Sequence, residues 1–199
     1  FKEAFCCEEL RAYLAIVAAA VVLIAINVHS LFASWGLSFH EAFFQVSSII
    51  TTTGYASADF DKWPEFSKCI LILLMFVGSC AGSTGGGMKV SRVMMAFKEA
   101  KKEISSVVHP RSVKVIKYEG KPLSHDMLRS LNAFIILYFF IFFLSVLVVS
   151  LDGFDFATSF SAVAANLNNI GPGISGVGPM SNFGGLSGLS KTVLVFDML

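Results

Sequence analysis

Four stretches of this chain run for 20 residues or more without a formal charge: residues 12–35, 69–88, 131–151 and 156–190. A helix needs about 20 apolar residues to cross a bilayer core. Ala12–Trp35 and Leu131–Leu151 meet that requirement throughout, being rich in Ala, Val, Leu, Ile and Phe. The other two do not. Cys69–Met88 starts as a good helix (I-L-I-L-L-M-F-V), then reads G-S-C-A-G-S-T-G-G-G from Gly78 to Gly87, a poor helix by propensity. Residues 156–190 are too long for one span and too rich in Gly, Asn, Ser and Pro. Non-helical backbone at membrane depth is tolerated only where protein or a water-filled cavity covers it. The chain is therefore read as an all-α integral membrane protein with broken and re-entrant segments.

Composition agrees. Of 199 residues, 55% are hydrophobic and 15% charged, against about a quarter charged in soluble domains; mean hydropathy is +0.71. A net charge of +1 suggests neither a nucleic-acid partner nor an acidic tail. Cys6, Cys7, Cys69 and Cys80 lack metal-ligand spacing and read as free thiols, and the four histidines are scattered. The chain begins at Phe1 and stops at Leu199 inside an apolar run, which reads as a piece of a longer protein.

Residues 1–11 form a polar, cytoplasmic-side lead-in. Residues 12–104 form one repeat unit, with an outer helix ending on an interfacial Trp35, a pore helix and loop at 38–57, and a broken inner helix at 67–104. Residues 105–125 are a cytoplasmic loop. Residues 126–199 form a second unit with a pore helix and loop at 155–173 and an inner helix starting near Leu186. The 89–129 region holds ten of the fifteen Lys and Arg residues against four acids, and the positive-inside rule places it in the cytoplasm. Lys89 and Arg92 read as anchors of that kind, with contact to the glycine-rich segment or to a partner as the sharper alternative. Val90–Ile104 reads as an amphipathic helix along or below the membrane surface.

The re-entrant stretch S-F-H-E-A-F-F-Q-V-S-S-I-I-T-T-T-G-Y-A-S opens at Ser38, three residues before Glu41, which is capping-box spacing. It continues with a helical rhythm of apolar residues and gives way to three threonines, a glycine and a tyrosine. Setting Gly171 over Gly54, an offset of 117, brings Phe39 onto Phe156, Phe43 onto Phe160, Val46 onto Val163 and Ile50 onto Leu167. Ser38 falls on Asp155, another good cap. From the charge before each outer helix to the glycine is 43 residues (Arg11) and 42 residues (Arg129). This is an internal repeat, of the class related by an axis along the membrane normal.

Each short helix would present its carbonyl end, with about half a negative charge, to a cation. The loop after it would supply carbonyl oxygens in place of the ion's hydration shell. Thr52, Thr53, Gly54 and Tyr55, with Tyr55 packing behind, are the expected set in the first loop, and Asn168, Asn169, Ile170 and Gly171 in the second. Glycine at 54 and 171 would permit unusual backbone angles or close approach to an axis.

The segments T-T-T-G-Y-A-S at 51–57, G-S-C-A-G-S-T-G-G-G-M-K at 78–89 and N-N-I-G-P-G at 168–173, in that order, resemble the Trk/Ktr/HKT potassium transporter superfamily and its TrkH-type membrane subunit. The resemblance implies four helix–pore loop–helix repeats around a pseudo-fourfold pore, as in potassium channels, with this chain as the third and fourth. It implies K+ as the transported ion, held by the filter residues only, and Gly54 and Gly171 as two of four filter glycines. Gly82, Ser83, Thr84, Gly85, Gly86 and Gly87 would form a gating loop below the filter. A homodimer in the inner or plasma membrane, a cytosolic nucleotide-binding regulatory subunit of the TrkA/KtrA kind, and nucleotide bound only through that subunit are also implied.

Two rival readings attach to the glycines. G-S-T-G-G-G-M-K resembles a phosphate-cradling loop, but Met88 separates Gly87 from Lys89 and Val90 stands where a hydroxyl is needed. Gly173-Ile174-Ser175-Gly176 fits the G-x-S-G pattern of rhomboid-type intramembrane serine proteases, with Ser175 as nucleophile. That chemistry needs a base, and no histidine follows His125.

Overall fold

The structure is a computed structural model that describes residues 7–109 and 115–199. Cys6 and most of the 1–11 lead-in lie outside the described residues, as does part of the 105–125 loop.

Seven α-helices and one two-stranded hairpin are described. They are α1 (Glu8–Val28), α2 (Trp35–Ile50), α3 (Glu65–Val77), α4 (Val90–Val108), β1 (Lys117–Tyr118), β2 (Lys121–Pro122), α5 (His125–Val149), α6 (Phe156–Leu167) and α7 (Gly188–Asp197). The hairpin is antiparallel, with Lys117 opposite Pro122 and Tyr118 opposite Lys121. Helices α1, α2 and α3 each pack on the other two, and so do α5, α6 and α7. The halves of the chain therefore repeat not only in sequence but in how their helices meet. They join where α3 packs on α6 and α4 on α5.

An aromatic cluster seals that junction. Phe76 of α3 meets Phe142 of α5 edge-on at 5.2 Å between centroids, and Phe142 meets Phe160 of α6 edge-on at 4.9 Å. Such pairs add about 0.5–1.5 kcal/mol beyond their area burial. The core continues through Ile24, Ile49, Ile50, Leu71 and Met75, all fully buried. Glu8–Leu31 and His125–Asp152 are long and apolar enough to cross a membrane, yet only 28% of each span's apolar window is buried. Outward-facing Ile26, Ile136, Phe140 and Leu147 would be costly in water, which suits lipid or further protein around them.

Three boundaries differ from those expected. Helix α1 starts at Glu8 rather than Ala12, because acidic Glu8 and Glu9 suit a helix N-terminus. It ends at Val28, before a short 3-10 turn at His29–Leu31. Trp35 thus lies beyond the end of that helix. It begins α2, with its ring stacked on His29 at 3.8 Å. Finally, α2 is capped by Ser34, whose hydroxyl accepts from Leu37 N–H, and not by Ser38. Ser38 lies one turn inside, buried, with its hydroxyl donated to Ser34 O at 3.1 Å. Glu41 consequently has no cap to reach back to, and its carboxylate accepts from Ser57 instead.

Helix α3 breaks at Gly78, where φ is +65°. A Cβ at that position would lie 2.8 Å from Gly86 O and 3.1 Å from Met88 O, so glycine is required by conformation and by space together. Helix α4 resumes at Val90.

Candidate ion-conduction site

The two loops after α2 and α6 are built alike, bond for bond. In the first, Thr52 N–H donates to Ile49 O at 3.0 Å and Thr53 N–H to Ser48 O at 2.8 Å. In the second, Asn169 N–H donates to Asn166 O at 2.9 Å and Ile170 N–H to Ala165 O at 2.8 Å. Gly54 and Gly171 add weaker bonds to the same Ser48 and Ala165 carbonyls. Every pair obeys the 117-residue offset found from Gly54 and Gly171.

Backbone angles repeat too. Thr51 and Asn168 are right-handed or nearly so (φ −85° and −99°). Thr52 and Asn169 are left-handed (φ 56° and 54°), and Gly54 and Gly171 again have positive φ (78° and 107°). Asparagine tolerates this region, but a β-branched threonine there is strained, on the order of 1–3 kcal/mol. Reversing φ at alternate residues turns carbonyls away from the alternation an extended strand would impose. The carbonyls of Thr52, Thr53, Gly54, Asn169, Ile170 and Gly171 accept no hydrogen bond from any other described residue. Apart from buried Ile170, the residues that bear them are exposed or half-buried, so their carbonyls need no protein partner.

Tyr55 departs from expectation. Its carbonyl accepts from Ser48 Oγ at 2.5 Å and the residue is 73% exposed, so it does not pack behind the loop within this chain. The Asn168 side chain is a brace: Oδ1 accepts from Tyr138 OH at 2.7 Å and Nδ2 donates to Ala164 O at 2.7 Å.

The loops abut each other and the glycine-rich segment. A Cβ on Gly54 would fall 1.9 Å from Ile170 O, and one on Gly86 would fall 2.1 Å from Asn168 O. Gly86 N–H donates to Thr52 Oγ1 at 3.1 Å, which ties the segment to the strained residue of the first loop. Ser79 Oγ donates to Ile50 O at 3.0 Å, satisfying a free carbonyl at the end of α2. Gly82 and Gly87 also have positive φ (82° and 72°), while Thr84 is exposed. Lys89 takes the sharper of its two readings: Nζ donates to Ser83 O at 3.1 Å, Ser83 Oγ at 3.3 Å and Gly85 O. Arg92 stands 4.0 Å over the Phe134 ring, a cation–π contact between α4 and α5.

On the opposite, Asp-bearing side, Asp155 caps α6 by accepting from Thr158 N–H at 3.2 Å. Hydrogen bonding from the Thr158 hydroxyl holds its carboxyl below the usual range. Asp152 accepts from Ser187 N–H at 2.9 Å, tying the turn after α5 to the start of α7. Ser175 sits in a tight turn where its N–H donates to Asp61 Oδ1 at 2.7 Å.

Comparison with known proteins decides the family. Residues 12–199 match the family model described as TrkH, cation transport protein. The chain belongs to the TrkH family. The Trk system potassium uptake protein TrkH of Escherichia coli K12 is 34% identical over 193 residues, covering 96% of this chain and 40% of that protein. TrkH of Vibrio parahaemolyticus is 40% identical over 162 residues, covering 81% of this chain and 33% of the relative. The crystal structure of the potassium transporter TrkH from Vibrio parahaemolyticus superposes with a TM-score of 0.89 at 35% identity, covering 98% of this chain and 42% of that one. The chain therefore spans about 40% of the length of the E. coli relative. TrkH proteins are membrane transport proteins and not enzymes.

Proposed function

We propose that this chain contributes two adjacent quarters of a potassium-conducting pore. The observation that carries the reading is the matched pair of loops, related by an offset of 117, whose carbonyls at 52–54 and 169–171 are left unpaired side by side. A desolvated cation needs oxygens arranged before it arrives, and fixed backbone carbonyls supply them without reorganisation. The C-terminal ends of α2 and α6 add the negative ends of two helix dipoles. Potassium is favoured because the relatives are named as potassium uptake proteins. The remaining quarters of the pore belong to the part of those relatives that this chain does not match. Tyr55 contributes least, since Ser48 already occupies its carbonyl.

Directly against both loops, Gly82–Gly87 serves as the gate. Small residues let its backbone rearrange cheaply, and Lys89 holds it in the present arrangement through its carbonyls. The protein lies in the cell membrane as a homodimer with residues 89–129 in the cytoplasm, where a nucleotide-binding regulatory subunit would reach them. Potassium uptake by the full-length protein, in cells lacking other uptake routes, tests the transport reading; absence of uptake would end it. Deleting residues 82–87 should raise flux, and unchanged flux would remove the gating role.

A further inference from the structure

Glu9 belongs to the polar lead-in, yet it is only 7% exposed. Its Oε1 accepts from Ala81 N–H at 2.5 Å and from Ser91 N–H at 3.3 Å. Those two residues bracket the glycine-rich segment: Ala81 leads into it, and Ser91 lies in the first turn of α4 just after it. Val90 N–H also donates to Ser79 O at 3.1 Å, so the neck of the segment is closed by backbone and carboxylate together. Helix α4 has no side-chain cap of its own. The Glu9 carboxylate fills that role from another helix, at the end where the dipole favours an anion.

The second carboxylate oxygen, Oε2, accepts from Tyr118 OH at 3.2 Å. Tyr118 lies on the β1–β2 hairpin, which is docked on the start of α1. Glu119 accepts there from Glu8 N–H at 2.8 Å and Glu9 N–H at 3.4 Å, and Lys98 Nζ donates to Lys117 O at 2.9 Å. Lys117, Glu119, Gly120 and Lys121 are themselves exposed. One buried carboxylate thus receives donors from the glycine-rich neck, from α4 and from a hairpin that a soluble partner can reach.

We propose that Glu9 is a positioning residue that pins both ends of the Gly82–Gly87 segment, and that the Tyr118 hydroxyl couples the 117–122 hairpin to that pin. The inference rests on the gating role proposed above. A buried anion is costly once one of its donors leaves. Movement of the hairpin that withdraws Tyr118 therefore loosens the hold on Ala81 and Ser91, and the segment gains freedom to leave the filter loops.

The test uses the full-length protein in liposomes without any partner, in a background freed of its native cysteines except half-buried Cys80, which lies beside Ala81 and serves as the reporter. Tyr118→Phe keeps the ring and loses only the hydroxyl; Glu9→Gln keeps the shape and loses the charge. Both should speed thiol modification of the reporter and raise basal rubidium flux, by about tenfold for a hydrogen bond to a charged group. The double variant should exceed Glu9→Gln by little, because the two act in one chain of contacts. Faster modification with unchanged flux would uphold the pin and refute the gate. Unchanged modification in Tyr118→Phe, with deletion of residues 82–87 still raising flux, would refute the pin and uphold the gate. Fully additive effects in the double variant would overturn the proposed coupling.

Discussion

Gly54 is where the paired loops press hardest, and alanine there should do more damage than alanine at its repeat partner Gly171. A Cβ on Gly54 would lie 1.9 Å from Ile170 O, 3.1 Å from Ile170 C and 3.3 Å from Pro172 Cδ. Two of these are backbone atoms, so no rotamer relieves the contact. Real Cβ atoms do not approach closer than 3.0 Å, so the Ile170 carbonyl must retreat from 1.9 Å to at least that distance. The left-handed backbone adds roughly 1–2 kcal/mol for any L side chain. Gly171 has φ +107° but nothing within 4 Å of its Cβ position. Its substitution strains one residue, by about 1–3 kcal/mol, and displaces no neighbour. If about 1.4 kcal/mol of the Gly54 clash is expressed in the coordinating geometry, potassium affinity falls about tenfold. Rubidium uptake against sodium competition, measured on full-length Gly54→Ala and Gly171→Ala, is the assay. Gly54→Ala should lose both uptake and discrimination, and Gly171→Ala should lose less of each. Equal losses, or a worse Gly171→Ala, would refute the argument from contact.

Thr52→Val keeps the β-branch but strands the Gly86 N–H, at a cost of about 1–3 kcal/mol; a lower unfolding temperature and raised basal flux are expected. Lys89→Met frees the carbonyls of Ser83 and Gly85, so amide exchange across residues 82–87 should quicken, and unchanged exchange would mean that the lysine holds nothing. Asp155→Ala removes the cap of α6 and should cost about 1 kcal/mol at neutral pH. Because the folded pKa of Asp155 is depressed, its contribution is complete above the unfolded carboxylate range, about 3.9. It is lost as pH falls through the lower folded value. The thermal-stability gap between Asp155→Ala and the unaltered protein should therefore close in acid; a gap that persists there would rule out the charged cap.

The repeat was legible because it is written in residue types that report on local structure: aromatic and aliphatic positions at helical spacing, a glycine after each short helix, and Asp155 as a cap. What stayed hidden had long-range causes. Ser34 and Ser38 are equally good caps by type; the helix uses the earlier one, where Trp35 packs on His29. Threonine argues against left-handed backbone, so nothing in T-T-T-G-Y points to Thr52 as the turned residue. Tyr55 reads as a buried aromatic but loses its carbonyl to Ser48, which has no hydroxyl counterpart at Ala165. Glu9 reads as one charge of a polar lead-in because its partners are 72, 82 and 109 residues away. Lys89 differs: six residues separate it from Ser83, and the proximity of a cation to a glycine-rich turn was visible.

The central claim is that the loops at 52–54 and 169–171 are adjacent walls of one cation filter. Anomalous diffraction from crystals of the full-length protein soaked in rubidium tests it most directly. Peaks should lie between the two loops, within coordination distance of the carbonyls of Thr52, Thr53, Gly54, Asn169, Ile170 and Gly171. Rubidium bound elsewhere along the pore, with those carbonyls facing away from it, would mean that the loops do not line the filter.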